Sequence, residues 1–358
     1  MNKLYADRTT IVDGIIYEWG DRIGYAPLSG RKAPGSRATR ISRNVFGGIV
    51  HNSIAYKPKS KAAIRQIFLR TIKKTPEVMV KVKAGGMSLQ GIKRRVDYIG
   101  RNGAVEVEDQ AGNTYNSKDD LKSLMDDWQG YGIPARDGKR KEALHIILSM
   151  PPGTSSDGVH AAARSFAGDV FENHKYAFAL HSDEAHPHVH LIVKIMDENG
   201  VRINPRKRDL QEWRERFAEK LREEGIEANA TPRRARGVVR RQEQQTTLQI
   251  DKQYFAGKRT KPSFITQARN AHARAELAGQ PLAQPGAEQA KQMRRDMIRA
   301  YGDIAKAMAI GTASEQQQAL KIVEFVQTMP SQQSKHDQLV ASMRQQSRME
   351  EITRSRHR

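Results

Sequence analysis

The chain has 358 residues, enough for two domains or for one domain with substantial extensions. Its 61 Lys and Arg exceed its 40 Asp and Glu, and the formal charge of +21 makes a polyanion the expected partner. There is no cysteine, which excludes a disulfide framework and a thiolate nucleophile, and no apolar run approaches the roughly 20 residues that cross a bilayer. The first 30 residues carry Asp7, Asp13, Glu18 and Asp21 and lack a signal-peptide core, so a soluble, cytoplasmic protein is expected.

Residues 1–76 read as a basic extension with little periodicity. From Arg31 to Arg43 there are five positive charges and no negative one among Gly, Pro and Ser, the composition of a flexible arm. Residues 60–75 suit a short basic helix. A compact core begins near Glu77, with a strand at Val78–Val82 and a turn at Ala84-Gly85-Gly86. Ser88 then caps a helix that runs to Ile99 and ends at Gly100 and Gly103. A weak strand at Ala104–Glu108 and a helix at Asp119–Trp128 follow. Next come a strong strand at Ala143–Met150, a helix over 155–172, strands at Tyr176–His181 and His188–Ile195, and an amphipathic helix at Asp209–Glu224. The turn between the last two strands is too short for a parallel crossover. The expected fold class is therefore α+β, an antiparallel sheet flanked by helices. Residues 77–240 form its central domain, 241–261 a Gln-rich linker, and 262–358 a helical region broken near Gly279–Gly286 and at Pro330.

The stretch HSDEAHPHVH at 181–190 holds four of the eleven histidines. Residues two apart share a face of a strand, so His188 and His190 point one way while Val189, Leu191 and Val193 face the core. In the preceding strand Ala177, Ala179 and His181 share a side. Pairing through the turn at Ser182–Pro187 brings His181 beside His188, and three imidazoles then converge as a metal site open to substrate. Such a set suits Mn²⁺, Zn²⁺, Ni²⁺ or Co²⁺ better than Mg²⁺, although availability can make Mg²⁺ the ion used. Asp183 or Glu184 is expected to hydrogen-bond a ligand's second nitrogen. His186 is read as a bystander or a substrate contact.

In the helix from Ser88, Leu89, Ile92, Val96 and Ile99 form one buried stripe. Tyr98 lies off it, on the face of Arg94 and Arg95. Guanidinium groups favour a phenolate and hold phosphate, so Tyr98 is placed for phosphoryl chemistry. Tyr115 and Tyr131 are fallback nucleophiles.

Together these stretches resemble the conjugative relaxases, mobilisation proteins of the HUH endonuclease superfamily, and within them the class that includes the T-DNA border endonucleases. The resemblance rests on the segment ending VDYIGRNG, on HIILSMPPGT at 145–154, on HSDEAHPHVHLIV at 181–193, and on the basic helix followed by RRARG at 233–237, within residues 77–240. It implies an HUH palm in which Tyr98 attacks a phosphodiester at a transfer origin and keeps a 5′-phosphotyrosine link while freeing a 3′-hydroxyl. By position His181, His188 and His190 match the metal ligands, with His181 as ligand or proton acceptor, and Asp183 matches the acidic residue of that motif. Lys194 departs from the Asn often found there, and about 77 residues precede a core that usually begins near the amino terminus.

For DNA, Arg202, Arg206, Lys207 and Arg208 follow the histidine strand where a backbone can pass, and Arg233, Arg234 and Arg236 offer a second clamp. Trp128 or Trp213 stacks a base or fills the core. The resemblance implies single-stranded and origin DNA, accessory relaxosome proteins and a type IV secretion coupling protein as partners, with export alongside the DNA. The helical tail, ending Arg354-Ser355-Arg356-His357-Arg358, serves either that coupling or dimerisation. The rival readings are a replication initiator or transposase of the same superfamily, and a non-enzymatic basic DNA-binding protein.

Overall fold

Alternating apolar residues along ALHIILS and HVHLIVK dictate strands with two different faces, and these strands form the centre of the sheet. In this computed structural model the described residues are 2–23, 59–129, 133, 140–238, 243–280, 286–331 and 333–356. The stretch Arg31–Arg43, Tyr131, His357 and Arg358 lie outside them.

In chain order the elements are α1 (Asn2–Arg22), α2 (Lys61–Ile72), β1 (Met79–Gly86), α3 (Leu89–Ile99), β2 (Val107–Asp109) and β3 (Thr114–Tyr115). They continue with α4 (Lys118–Gln129), β4 (Ala143–Ser149), α5 (Ser156–Val170), β5 (Tyr176–His181), β6 (His188–Lys194) and α6 (Lys207–Glu223). The strands form one antiparallel sheet in the order β1-β4-β6-β5-β2-β3. The fold is thus α+β. Leu144, Ile146, Leu148, Val189, Leu191 and Val193 pack with α5 and α6 on one face. Ala143, Ala177, Ala179 and Ile192 pack with α3 and α4 on the other. Trp128 and Trp213 are both buried in these cores rather than offered to a base.

Two expectations fail at the start of the chain. Residues 1–76 are not devoid of periodicity, because Val12, Ile16, Trp19 and Ile23 recur at helical spacing and are buried along α1. Trp19 meets Phe68 of α2 edge to face at 5.1 Å. The second concerns Ala84-Gly85-Gly86, which is not a turn but the end of β1. The strand continues through a bulge there, pressed against β4. A Cβ on Gly85 would lie 2.7 Å from the Leu144 carbonyl carbon, and one on Gly86 would lie 2.7 Å from the Ile92 amide nitrogen. Gly86 also has φ +154°. These glycines let the first turn of α3 rest on the sheet. Gly86→Ala should therefore cost about 1–3 kcal/mol of stability, seen as a lowered thermal midpoint, because backbone rather than a flexible side chain must give way. An unchanged midpoint would mean that α3 does not depend on this contact.

Past α6 the chain returns to β1. Val78 N–H donates to Asn229 O at 2.9 Å and Asn229 N–H to Pro76 O at 2.8 Å. The Glu77 carboxylate accepts from the Thr231 amide at 2.8 Å, from the Thr231 hydroxyl, and from Asn229 Nδ2 at 3.3 Å.

The chain clusters as two units, Ile16–Pro232 and Met1–Ile15 with Arg233–Arg358. The second holds a 3₁₀ turn at Arg233–Arg236 and the helices α7 (Gln245–Phe255), α8 (Phe264–Leu277), α9 (Ala287–Ala309), α10 (Ala313–Gln327) and α11 (Lys335–Arg356). Helix α7 occupies much of the stretch expected to be a linker. Tyr301 is buried there, meets Phe325 at a tilt with ring centres 5.3 Å apart, and donates its hydroxyl to Ala235 O at 2.7 Å. No described helix is long and apolar enough to cross a membrane.

Candidate metal and phosphate site

The β5–β6 register places His181 directly opposite His188 and Ala179 opposite His190. One ligand atom from each of His181, His188 and His190 falls within 4.8 Å of the other two. Each ring's other nitrogen is engaged. His181 Nε2 lies 2.7 Å from Ile99 O, and His188 Nδ1 lies 2.9 Å from His186 O. A carbonyl only accepts, so those nitrogens carry the protons and the opposite nitrogens present bare lone pairs. This contradicts the expected role of the carboxylates, since neither Asp183 nor Glu184 fixes a ring. His186 contributes only its backbone carbonyl.

His190 is held differently. Its Nδ1 is 2.7 Å from Nε2 of His145, a buried β4 residue that the sequence reasoning missed. If His190 presents Nε2 to a cation, its Nδ1–H must donate to His145 Nε2. The remaining proton of His145 then sits on Nδ1, a buried atom without a hydrogen-bond partner. Burial lowers His145 to about 4 and His190 to about 3, each aided by neighbouring positive charge, and lowers His181 as well. Neutral imidazole is the ligating form, so the donor set fits a divalent ion. His145→Ala should weaken Mn²⁺ binding about 10–100-fold by titration calorimetry. His145→Gln, whose amide oxygen accepts the same proton, should recover most of that loss. Equal affinity in all three proteins would remove His145 from the site.

Helix α3 presents Tyr98 to this cluster. Ile92, Val96 and Ile99 are fully buried, whereas Tyr98 is 56% exposed. Its ring centroid is 5.7 Å from that of His190 and 6.3 Å from that of His145. Two tethers bracket the residue. One is the His181–Ile99 bond, and the other is an ion pair at 2.6 Å between Arg101 and Asp183 in the β5–β6 turn. Arg101 adopts φ +48°, which swings its side chain out of the helical path toward that turn. The guanidinium holds the Asp183 carboxyl below its usual range. Asp183 thus serves the arginine rather than a histidine. An open pocket of about 610 Å³ is lined by Arg94, Tyr98, Arg101, His181, Glu184 and His188, among others.

Positive charge collects on this face from an unexpected strand. Lys81 and Lys83 of β1 are exposed on the side of His145, with Lys83 opposite it in register. Partial burial, then Lys81 and Arg95, depress the Lys83 ammonium. That mutual repulsion is what a phosphate relieves. The alternation Val-Lys-Val-Lys was the available signal. The loop after β6 behaves otherwise. Arg202 pairs with Glu142 at 2.9 Å and donates to Lys141 O at 2.5 Å. Arg206, Lys207 and Arg208 begin α6, which packs on the opposite sheet face. They also follow the far end of β6, roughly 20 Å along the strand from His188 at about 3.3 Å per residue. None of the four lines the pocket. Arg233, Arg234 and Arg236 belong to the C-terminal unit. Tyr115 hydrogen-bonds Asp109 at 2.8 Å, and burial with that carboxylate pushes it up to about 12, unfavourable for a nucleophile.

The family model for the relaxases, described as MobA/VirD2-like, nuclease domain, matches residues 98–226. Over 186 residues the chain is 28% identical to the T-DNA border endonuclease VirD2 of Rhizobium radiobacter, covering 46% of this chain and 44% of that protein. It is likewise 28% identical to the VirD2 of Agrobacterium fabrum, covering 46% and 42%. The chain therefore spans less than half the length of these relatives. A solved chain from work on vancomycin resistance transfer in Staphylococcus aureus aligns at 17% identity over 44% of this chain and 99% of its own. Its TM-score of 0.28 carries no argument.

Proposed function

We propose, from the match of residues 98–226 to the MobA/VirD2-like relaxase nuclease domain, that this protein nicks one DNA strand at a transfer origin with Tyr98 as nucleophile. The observation that carries the reading is the meeting of an exposed phenol with three imidazoles, 5.7 Å from ring centre to ring centre at His190. His181 through Nδ1, and His188 and His190 through Nε2, hold a divalent ion, with Mn²⁺ or Zn²⁺ better matched than Mg²⁺ to nitrogen donors. When bound, that ion supplies positive charge to a non-bridging phosphate oxygen. Lys81, Lys83, Arg94, Arg95 and Arg101 hold the phosphates on either side, and Asp183 keeps Arg101 aimed.

Tyr98 Oη bonds to phosphorus as the P–O3′ bond breaks. The phenolic proton ends on the departing 3′ oxygen, and the 5′ phosphate stays esterified to the protein. The ester conserves the energy of the broken bond, so the reverse attack reseals the strand without ATP. In this reading the protein works in the bacterial cytoplasm with accessory relaxosome proteins, and a type IV secretion coupling protein receives the protein–DNA adduct for export. Arg233, Arg234 and Arg236 form a further DNA contact.

The test uses supercoiled origin plasmid, the protein and Mn²⁺, followed by detergent and protease. Relaxed circles with a peptide on the 5′ end are expected. Gel retardation alone would make the protein a basic DNA binder, and nicks without attached peptide would indicate attack by water.

A further inference from the structure

Outside the nuclease sheet, the connection between α7 and α8 brings bare aromatic rings and cations together. Phe255, the last residue of α7, is 78% exposed, and Phe264, the first of α8, is 84% exposed. Lys252, Lys258, Arg259 and Lys261 are exposed around them. The only acid between residues 251 and 264 is Asp251, and its carboxylate is consumed internally. It accepts from the Ser263 amide at 2.7 Å, the Ser263 hydroxyl at 3.1 Å and the Thr266 hydroxyl at 2.7 Å. Those bonds fasten α7 to α8, so the phenylalanines stand on a braced support. Tyr254 backs Phe255 at 5.3 Å between ring centres. Elsewhere in this unit Glu243 is paired with Arg269 and Lys335, and Glu276 with His336, which leaves the positive charge of the connection unopposed by them.

Large apolar rings in water mark a contact surface, and here the chemistry around them selects the partner. A purely apolar docking face gains nothing from four cations in ten residues. Duplex DNA hides its base faces. A single strand offers both things this surface lacks, π faces for the rings and phosphates for the cations.

We propose that the α7–α8 connection is a second site for single-stranded nucleic acid, with Phe255 and Phe264 as stacking platforms and Lys258, Arg259 and Lys261 on the phosphates. The inference does not depend on nicking by Tyr98, and its test keeps the two apart.

All three native tryptophans are buried, so Phe255→Trp places a single exposed reporter in the full-length chain. Adding an oligothymidine of about 16 nucleotides should quench that emission, as stacking on the ring requires. In the otherwise native chain, Phe255→Ala with Phe264→Ala should weaken the same oligonucleotide at least about tenfold by fluorescence anisotropy. Lys258→Gln, Arg259→Gln and Lys261→Gln together should flatten the slope of log affinity against log salt by about 2, near 0.7 per phosphate contact. Adduct formation on a short origin oligonucleotide should be unaltered in all of these variants. Unquenched tryptophan with unchanged affinity would overturn the proposal. If the double alanine variant instead turned an associating chain into a monomer at constant DNA affinity, the surface would be an interface between copies. A variant set that lost oligothymidine while Tyr98 formed no adduct in any protein would overturn the nicking reading alone.

Discussion

Tyr98→Phe is expected to bind origin DNA within about twofold of the native protein and to form no covalent adduct. The substitution removes one oxygen and little else. Tyr98 is more than half exposed, and its hydroxyl makes no hydrogen bond among the described residues, so its loss leaves no buried group unsatisfied. The ring keeps its edge contact with His190, and α3 keeps its buried stripe. A phenylalanine cannot form a phosphate ester, so the loss is complete rather than graded. Denaturing gels of protein bound to end-labelled origin strand read the result directly. Native adduct yield in this variant would move the nucleophile elsewhere, and Tyr115, bonded to Asp109 and pushed up to about 12, would be a poor successor.

His188→Ala should weaken Mn²⁺ more than about 100-fold and slow cleavage in proportion, with folding little altered. Among the three candidate ligands His188 is the one that is only half-buried, and its second nitrogen bonds a carbonyl two residues away. Removing it therefore takes away a ligand without opening a core cavity. His190→Ala is a less clean experiment, because it also strands His145. Calorimetric titration of Mn²⁺ and single-turnover cleavage would measure the two effects separately. Native metal affinity in His188→Ala would refute the three-histidine site, whereas lost affinity with native cleavage would make the ion structural.

The residues that local periodicity governs were legible in the sequence. His181, His188 and His190 follow from the two-residue period of paired strands, and Tyr98 from the three-and-four spacing of Ile92, Val96 and Ile99. What escaped depends on which strand lies beside which. His145 reaches His190 only because β4 pairs with β6 in a register that sets Ile147 opposite His190, and no neighbour in sequence announces that. Lys81 and Lys83 escaped for the same reason, since β1 pairs with β4 from more than 60 residues away. Arg101 was hidden by a left-handed backbone that sequence pattern placed in a helix end. Arg202 follows the histidine strand in sequence, but the buried Glu142 carboxylate holds its guanidinium, which only the folded chain reveals. Helix α1 differs, because the spacing of Val12, Ile16 and Trp19 stands in the sequence itself.

The polar clasp at Glu77 limits how far this protein can be trimmed. The family match begins at residue 98 and stops at residue 226, inside that clasp on both sides. A fragment cut to those limits loses β1 and exposes the whole outer edge of β4, seven consecutive residues that are all buried in the intact chain. Such an edge, apolar and unpaired, recruits other strands, so the trimmed fragment should form insoluble aggregates. A fragment spanning residues 1–232 retains α1 against Phe68 of α2, the lysine strand and the returning threonine, and should stay dispersed.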